Sequence, residues 1–159
     1  MIKNAFRSEN RLVLLFIFIM MGISVFLRST TLMMPLVNDL YSFRQAQTAI
    51  TIQDYFNHGF SVFNYTTPVF GPPWLAPMEF PIYQITVFFF MQLFGMQNID
   101  LACRIISIIY FYLSAAALLY LTRYIFGKKE IYITVFLFYI FAPFNVIYSR
   151  AALPDFASG

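Results

Sequence analysis

The sequence predicts an all-α integral membrane protein. Of its 159 residues, 60% are hydrophobic and only 11% are charged, whereas about a quarter are charged in a typical soluble domain. The chain contains 21 phenylalanines and 11 tyrosines, more than a small soluble core needs. Apolar runs close to the roughly 20 residues that a helix needs to cross a bilayer recur along it. We therefore expect a helical bundle in a lipid bilayer.

Charge and cysteine content exclude two other classes of protein. The net charge of +3 is small and scattered, and no stripe of Lys and Arg interleaved with aromatic residues indicates a nucleic-acid surface. A single cysteine, Cys103, excludes an internal disulfide and a thiolate metal cluster. We expect Cys103 to pack as an inert apolar residue.

The first predicted span covers about 11–27, and Lys3, Arg7 and Arg11 lie at or before its start. This arrangement resembles a signal peptide, but no small-x-small cleavage site follows the apolar run. We expect an uncleaved signal anchor with a cytoplasmic N-terminus.

Two further spans are predicted at about 105–121 and 131–148. Arg123, Lys128 and Lys129 lie in the turn between them, and basic turns favour the cytoplasm. An even number of crossings must then separate this turn from the N-terminus. The apolar run 81–94 is short for a span and would make that number odd, so we expect it to lie along the membrane.

This topology places a large loop, about 28–100, outside the cytoplasm. Within it, 43–60 has polar and apolar residues on opposite faces, as in a helix lying along the membrane, and Gly59 is placed to end it. Pro81 suits the first turn of the second such helix, 81–94. Both juxtamembrane helices would belong to the first extracytoplasmic loop of a polytopic bundle.

Two acids in this compartment are candidates for chemistry. Asp39 follows the first span, where a carboxylate can bind a metal or take a proton from a hydroxyl group; a solvated helix cap is the simpler alternative. Asp155 follows the third span with Arg150, and ionisable residues at a membrane edge are functional candidates. A local Arg150–Asp155 pair is the alternative there.

Three other loop residues are candidates for binding phosphate. Arg44 and Gln45 open the amphipathic helix, and a guanidinium presents a fixed fork of donors at a helix start that favours anions. Interfacial packing of Arg44 against lipid headgroups is the alternative. Glu79 has largely apolar neighbours, and it is either an organiser of a phosphate site or a helix cap.

Together these segments resemble the membrane glycosyltransferases that use polyprenyl-phosphate-linked sugars. The bacterial relatives of dolichyl-phosphate-mannose protein mannosyltransferases and the aminoarabinose transferases are most similar. The resemblance is carried, in order, by Asp39, Phe43-Arg44-Gln45-Ala46-Gln47-Thr48-Ala49, Gly71-Pro72-Pro73-Trp74, Glu79-Phe80-Pro81-Ile82-Tyr83, Arg104 to Ser107, and Arg150 to Asp155. Such enzymes are much longer, so the resemblance implies that this chain is their N-terminal part.

The resemblance implies an active site on the extracytoplasmic face of a bacterial inner membrane. Asp39 would be the catalytic acid and Asp155 a second carboxylate, and both are candidate ligands for a divalent metal cation. The sugar would pass from a polyprenyl-phosphate donor to a hydroxyl group of a lipid, glycan or protein, with inversion. Two departures bear on this: Leu40 follows Asp39 where many relatives have a second acid, and Glu79-Phe80-Pro81 stands where aminoarabinose transferases have Lys-Pro-Pro.

Two other functions fit the same composition. The chain can be a non-catalytic membrane protein that binds a polyprenyl phosphate or partners another membrane subunit, in which case Asp39 and Asp155 are dispensable for lipid binding. A transporter fragment is the third interpretation. It predicts charges in the middle of spans, and the three predicted spans lack them.

Overall fold

A computed structural model describes residues 2–38, 42–62 and 80–153, with side chains described from residue 15 onward. These residues form helices and connecting loops without a strand, which confirms the all-α prediction for the described part of the chain. The helices are α1 (Ile2–Ser29), α2 (Ser42–His58), α3 (Ile82–Phe94), α4 (Ile99–Phe126), α5 (Lys129–Phe141) and α6 (Pro143–Tyr148), and a short 3-10 turn covers Leu36–Asn38.

Helix α4 is the one described helix that is long and apolar enough to cross a membrane. Its 28 residues give a length of about 42 Å, more than the roughly 30 Å hydrocarbon core requires. Asn98 caps its start by accepting a hydrogen bond from the Leu101 amide at 3.0 Å. Gly127, at φ +62°, ends it in the left-handed conformation that glycine adopts without strain.

The predicted span 131–148 is two helices rather than one. Helix α5 ends at Phe141, Ala142 is extended, and α6 starts at Pro143. Proline lacks the amide that a continuous helix requires, and it disfavours helical geometry in the residue before it. The break follows from this chemistry, and Pro143 was visible in the sequence as its signal.

One apolar cluster joins α1, α4 and α5. Phe111 and Ala115 of α4 pack against Phe136 and Ile140 of α5, and Ile17 of α1 lies beside them. Large apolar side chains cover the outer faces of this bundle and are exposed, among them Phe18, Phe26, Tyr124 and Phe138. Such a surface suits lipid contact, because nothing polar needs to be desolvated.

A second layer packs α2 and α3 against the first half of α4. Ile52, Val87, Met91, Ala102 and Cys103 belong to one buried cluster, so Cys103 is a buried packing residue. The helices expected at 43–60 and 81–94 occupy nearly these positions, and Gly59, at φ +92°, follows the end of α2. Their placement along a membrane stays a prediction.

The inward face of helix α2 is largely polar, although it also carries Ile52 and Tyr55 and leaves Gln53 and Asn57 exposed. Gln45, Gln47, Thr48 and Thr51 are buried, whereas Ile50, Phe43 and Phe56 are exposed on other sides of the helix. This is the reverse of an amphipathic helix on a soluble domain, and it is the orientation expected where the outside is apolar.

Candidate functional site

Arg104 lies where three segments of the chain meet. Its side chain is 0% exposed, and its guanidinium donates to the backbone carbonyls of Met34 (3.0 Å), Pro35 (3.4 Å) and Arg150 (3.2 Å). The loop after α1 and the segment after α6 are therefore attached to one side chain of α4. Carbonyl acceptors offset part of the large cost of burying a guanidinium.

Gln45 attaches α2 to the same C-terminal segment. Its Oε1 accepts a hydrogen bond from the Ala152 amide at 2.9 Å, and the side chain is fully buried. Thr51, one further turn and a half along α2, donates to the Gln47 carbonyl at 3.1 Å. The inward face of α2 therefore presents polar side chains to the first half of α4.

Tyr83 of α3 and Ser107 of α4 add two hydroxyl groups to the polar side chains of this site. The Tyr83 hydroxyl donates to the Cys103 carbonyl at 2.8 Å and lies 2.8 Å from Ser107 Oγ, which donates to the Ala151 carbonyl at 2.7 Å. Burial raises the pKa of the Tyr83 phenol well above its ordinary value. Tyr83 therefore remains a neutral hydrogen-bond donor at physiological pH.

Arg150 has a buried donor group available in the described structure. Its Nη1 donates to Thr31 Oγ1 at 2.9 Å. Its Nε is shielded from solvent and has no hydrogen-bond acceptor within the described ranges. Because buried donors are normally paired, we expect the acceptor of this group to lie outside the described residues.

The structure brings Gln45, a predicted phosphate residue, and Arg150 to this site. Gln45 Oε1 accepts from the Ala152 amide, Arg150 Nη1 donates to Thr31 Oγ1 in the turn after α1, and Arg44 lies half-buried in the first turn of α2. The remaining predicted site residues, Asp39, Glu79 and Asp155, lie outside the described residues.

Sequence reasoning missed the roles of two arginines. No contact was predicted for Arg104 or Arg28, yet each is fully buried and hydrogen-bonded to segments distant in the sequence. An arginine at the edge of an apolar run is a functional candidate by default, and that rule was the available signal. Their acceptors, mostly backbone carbonyls, are not visible in a sequence.

The described residues do not test whether the chain binds a metal. Among them, no group of three or more His, Cys, Asp or Glu side chains is placed to hold an ion. The two candidate ligands, Asp39 and Asp155, lie outside this part of the chain.

Comparisons of the chain with protein-family models, with curated proteins and with solved structures found no match. The binding properties of the described site are therefore inferred from its own residues. It combines two arginines, a buried amide and several hydroxyl groups on the inward faces of α2, α3 and α4. Most of these donors bond to backbone carbonyls of the protein, and Arg150 Nε is a donor of this set that has no acceptor among the described residues.

Proposed function

We propose that this chain is the N-terminal part of a membrane glycosyltransferase. It transfers a sugar from a polyprenyl-phosphate donor to a hydroxyl group of a lipid, glycan or protein acceptor. The reaction takes place on the extracytoplasmic face of a bacterial inner membrane. The N-terminus is cytoplasmic, and α2 and α3 lie along the membrane within the first loop.

The observation that carries this proposal is the position of Arg104. It holds Met34 and Pro35, four or more residues before Asp39, and also Arg150, five residues before Asp155. The two segments that lead to the candidate carboxylates are thus attached to one guanidinium. This supports a common site for them, beside the available Nε of Arg150.

The proposed chemistry uses residues of this chain for the phosphate and the proton. As the acceptor oxygen bonds to the anomeric carbon, the bond to the phosphate oxygen breaks, and its electron pair stays on the phosphate. Arg150 and Arg44 stabilise the anionic charge that develops there. Asp39 takes the proton from the acceptor hydroxyl. Attack from the side opposite the phosphate inverts the anomeric centre.

A divalent cation would be held by Asp39 and Asp155, and it would add charge stabilisation at the phosphate. No step of the proposed transfer depends on this cation, because the described residues do not form a ligand set for it.

A transfer assay tests the proposal. Membrane vesicles carrying the product of the complete gene are supplied in turn with polyprenyl-phosphate mannose, glucose and aminoarabinose, each with radiolabelled sugar. We expect transfer from one donor, and a loss of about 100-fold or more in Asp39→Asn, because the proton acceptor is removed. Asp54→Asn is the matched control, since Asp54 pairs with His58 on α2. Equal transfer by Asp39→Asn and the control contradicts the assigned role.

The alternative is a non-catalytic protein that binds a polyprenyl phosphate or partners another membrane subunit. The donor groups around Arg150 favour the lipid-binding form. Undecaprenyl phosphate binding to the protein in nanodiscs distinguishes the two functions when it is measured beside the transfer assay. Binding that Arg150→Met weakens about tenfold, without transfer from any donor, would establish the alternative.

A further inference from the structure

The break between α5 and α6 leaves the carbonyls of residues 139 to 141 without their helical donors, and side chains replace two of these donors. In a continuous helix the amides of residues 143 and 144 would bond to the carbonyls of Tyr139 and Ile140. Pro143 has no amide hydrogen, and the extended Ala142 (φ −53°, ψ 128°) turns the chain away. Asn145 replaces one donor, because its Nδ2 bonds to the Tyr139 carbonyl at 2.8 Å.

Arg28 of α1 replaces the other donor. Its Nη2 donates to the Ile140 carbonyl at 2.9 Å and reaches the Asn145 carbonyl at 3.5 Å. Its Nε donates to Ser149 Oγ at 2.7 Å. Three points of the α5–α6 segment are thus bonded to one side chain from a different helix.

The rest of the guanidinium is fixed within the bundle. Its Nη1 donates to the Oγ (2.6 Å) and the carbonyl (3.2 Å) of Ser24, and Ser24 Oγ lies 2.8 Å from the Tyr112 hydroxyl. The ring of Phe111 lies 4.1 Å from the guanidinium carbon, within range of a cation–π contact. All five donors of Arg28 are used, and these partners are neutral groups. Such saturation leaves no donor for a ligand and indicates a different role from that of Arg150.

We propose that Arg28 is a positioning residue that holds the broken helix, and with it Arg150, against α1. It supplies a donor to the Ile140 carbonyl, which loses its helical donor at the Pro143 break, and it fixes Ser149 beside the start of the 150–153 segment. This role goes beyond sugar transfer and does not depend on it. A guanidinium fits it because it reaches several acceptors with a fixed fork, whereas an ammonium group has a single nitrogen.

Hydrogen exchange of peptides covering α5, α6 and residues 149–153 tests this proposal in nanodiscs at fixed pH. Arg28→Met leaves the Ile140 carbonyl unpaired, so we expect the amides of α6 to exchange about tenfold faster. Arg28→Lys should recover only part of the protection, because charge alone does not replace the fork. Arg123→Met, an exposed arginine on α4, is the matched control and should leave α6 unchanged.

The decisive variant is Pro143→Ala, which restores an amide donor and permits a continuous helix. In that background the carbonyls of residues 139 and 140 can be satisfied within the helix, so Arg28→Met should accelerate exchange much less than in the natural chain. Equal acceleration in both backgrounds overturns the proposal, as does full protection in Arg28→Lys. Should Arg28→Met fail to accumulate, Arg28→Lys is compared in the natural and Pro143→Ala backgrounds instead. Equal acceleration of exchange in both backgrounds then overturns the proposal.

Discussion

Two buried arginines of this chain have opposite surroundings. Arg28 lies within the apolar bundle of α1, α4 and α5, and its five donors and one face are occupied by neutral groups. Arg104 lies in the polar layer under α2 and α3, where its guanidinium joins loops rather than helices. Burial is the same for both, so burial alone does not distinguish a structural arginine from one that organises a site.

The difference lies in what each arginine holds. Arg28 compensates for a defect in helix geometry, because one of its acceptors is the Ile140 carbonyl that the break exposes and two others lie in or just after α6. Arg104 donates to loop carbonyls, which no regular helix pairs. The loops it holds carry Arg150, whose Nε has no acceptor in the described structure. A further acceptor, from outside the described residues, is thus expected beside Arg104 and not beside Arg28.

Replacing Arg104 should give the largest effect on stability. Arg104→Met removes three hydrogen bonds to buried or half-buried carbonyls, and each unpaired carbonyl costs about 1–3 kcal/mol. We expect the free energy of unfolding in mixed micelles to fall by about 3 kcal/mol or more. Arg123→Met, which alters an exposed arginine of the same helix, should change it by less than about 0.5 kcal/mol. Similar losses in both variants would contradict the role assigned to Arg104.

A smaller loss is expected from the hydroxyl of Tyr83. Tyr83 is 1% exposed, and its hydroxyl bonds to the Cys103 carbonyl and contacts Ser107. Tyr83→Phe keeps the ring but removes the hydroxyl that contacts these two groups. The free energy of unfolding should therefore fall by about 1–2 kcal/mol. Tyr124→Phe, at an 81% exposed site on α4, is the matched control, and an equal loss there would exclude the assigned network.

The sequence was sufficient for the helices and insufficient for their contacts. Apolar periodicity and Gly59 placed α2 close to its observed range, because these are local features. The interruption of the segment 131–148 was also local, and Pro143 indicated it. The distant acceptors of Arg28 and Arg104 could not be predicted, since they include carbonyls 46 to 117 positions away in the chain.

The orientation of α2 illustrates a second limit. The sequence pattern predicted a polar and an apolar face on α2, but it did not indicate which face packs against the rest of the protein. In water the apolar face packs inward, whereas next to lipid the polar face does. Gln45 Oε1 accepts a hydrogen bond from the Ala152 amide, a contact that the sequence did not predict. That contact follows from the inward polar face and from the path of the C-terminal segment.

This orientation predicts that the usual rule for core and surface substitutions is reversed on α2. Thr51 is 3% exposed and donates to the Gln47 carbonyl, whereas Phe43 is 65% exposed. The isosteric Thr51→Val removes a buried donor, so it should lower the free energy of unfolding in mixed micelles by about 1 kcal/mol. Phe43→Ser removes a large apolar side chain but should cost less than about 0.5 kcal/mol, because the site is exposed in the folded chain. A larger cost for Phe43→Ser would mean that protein covers the apolar face of α2, and the lipid-facing orientation would then be wrong.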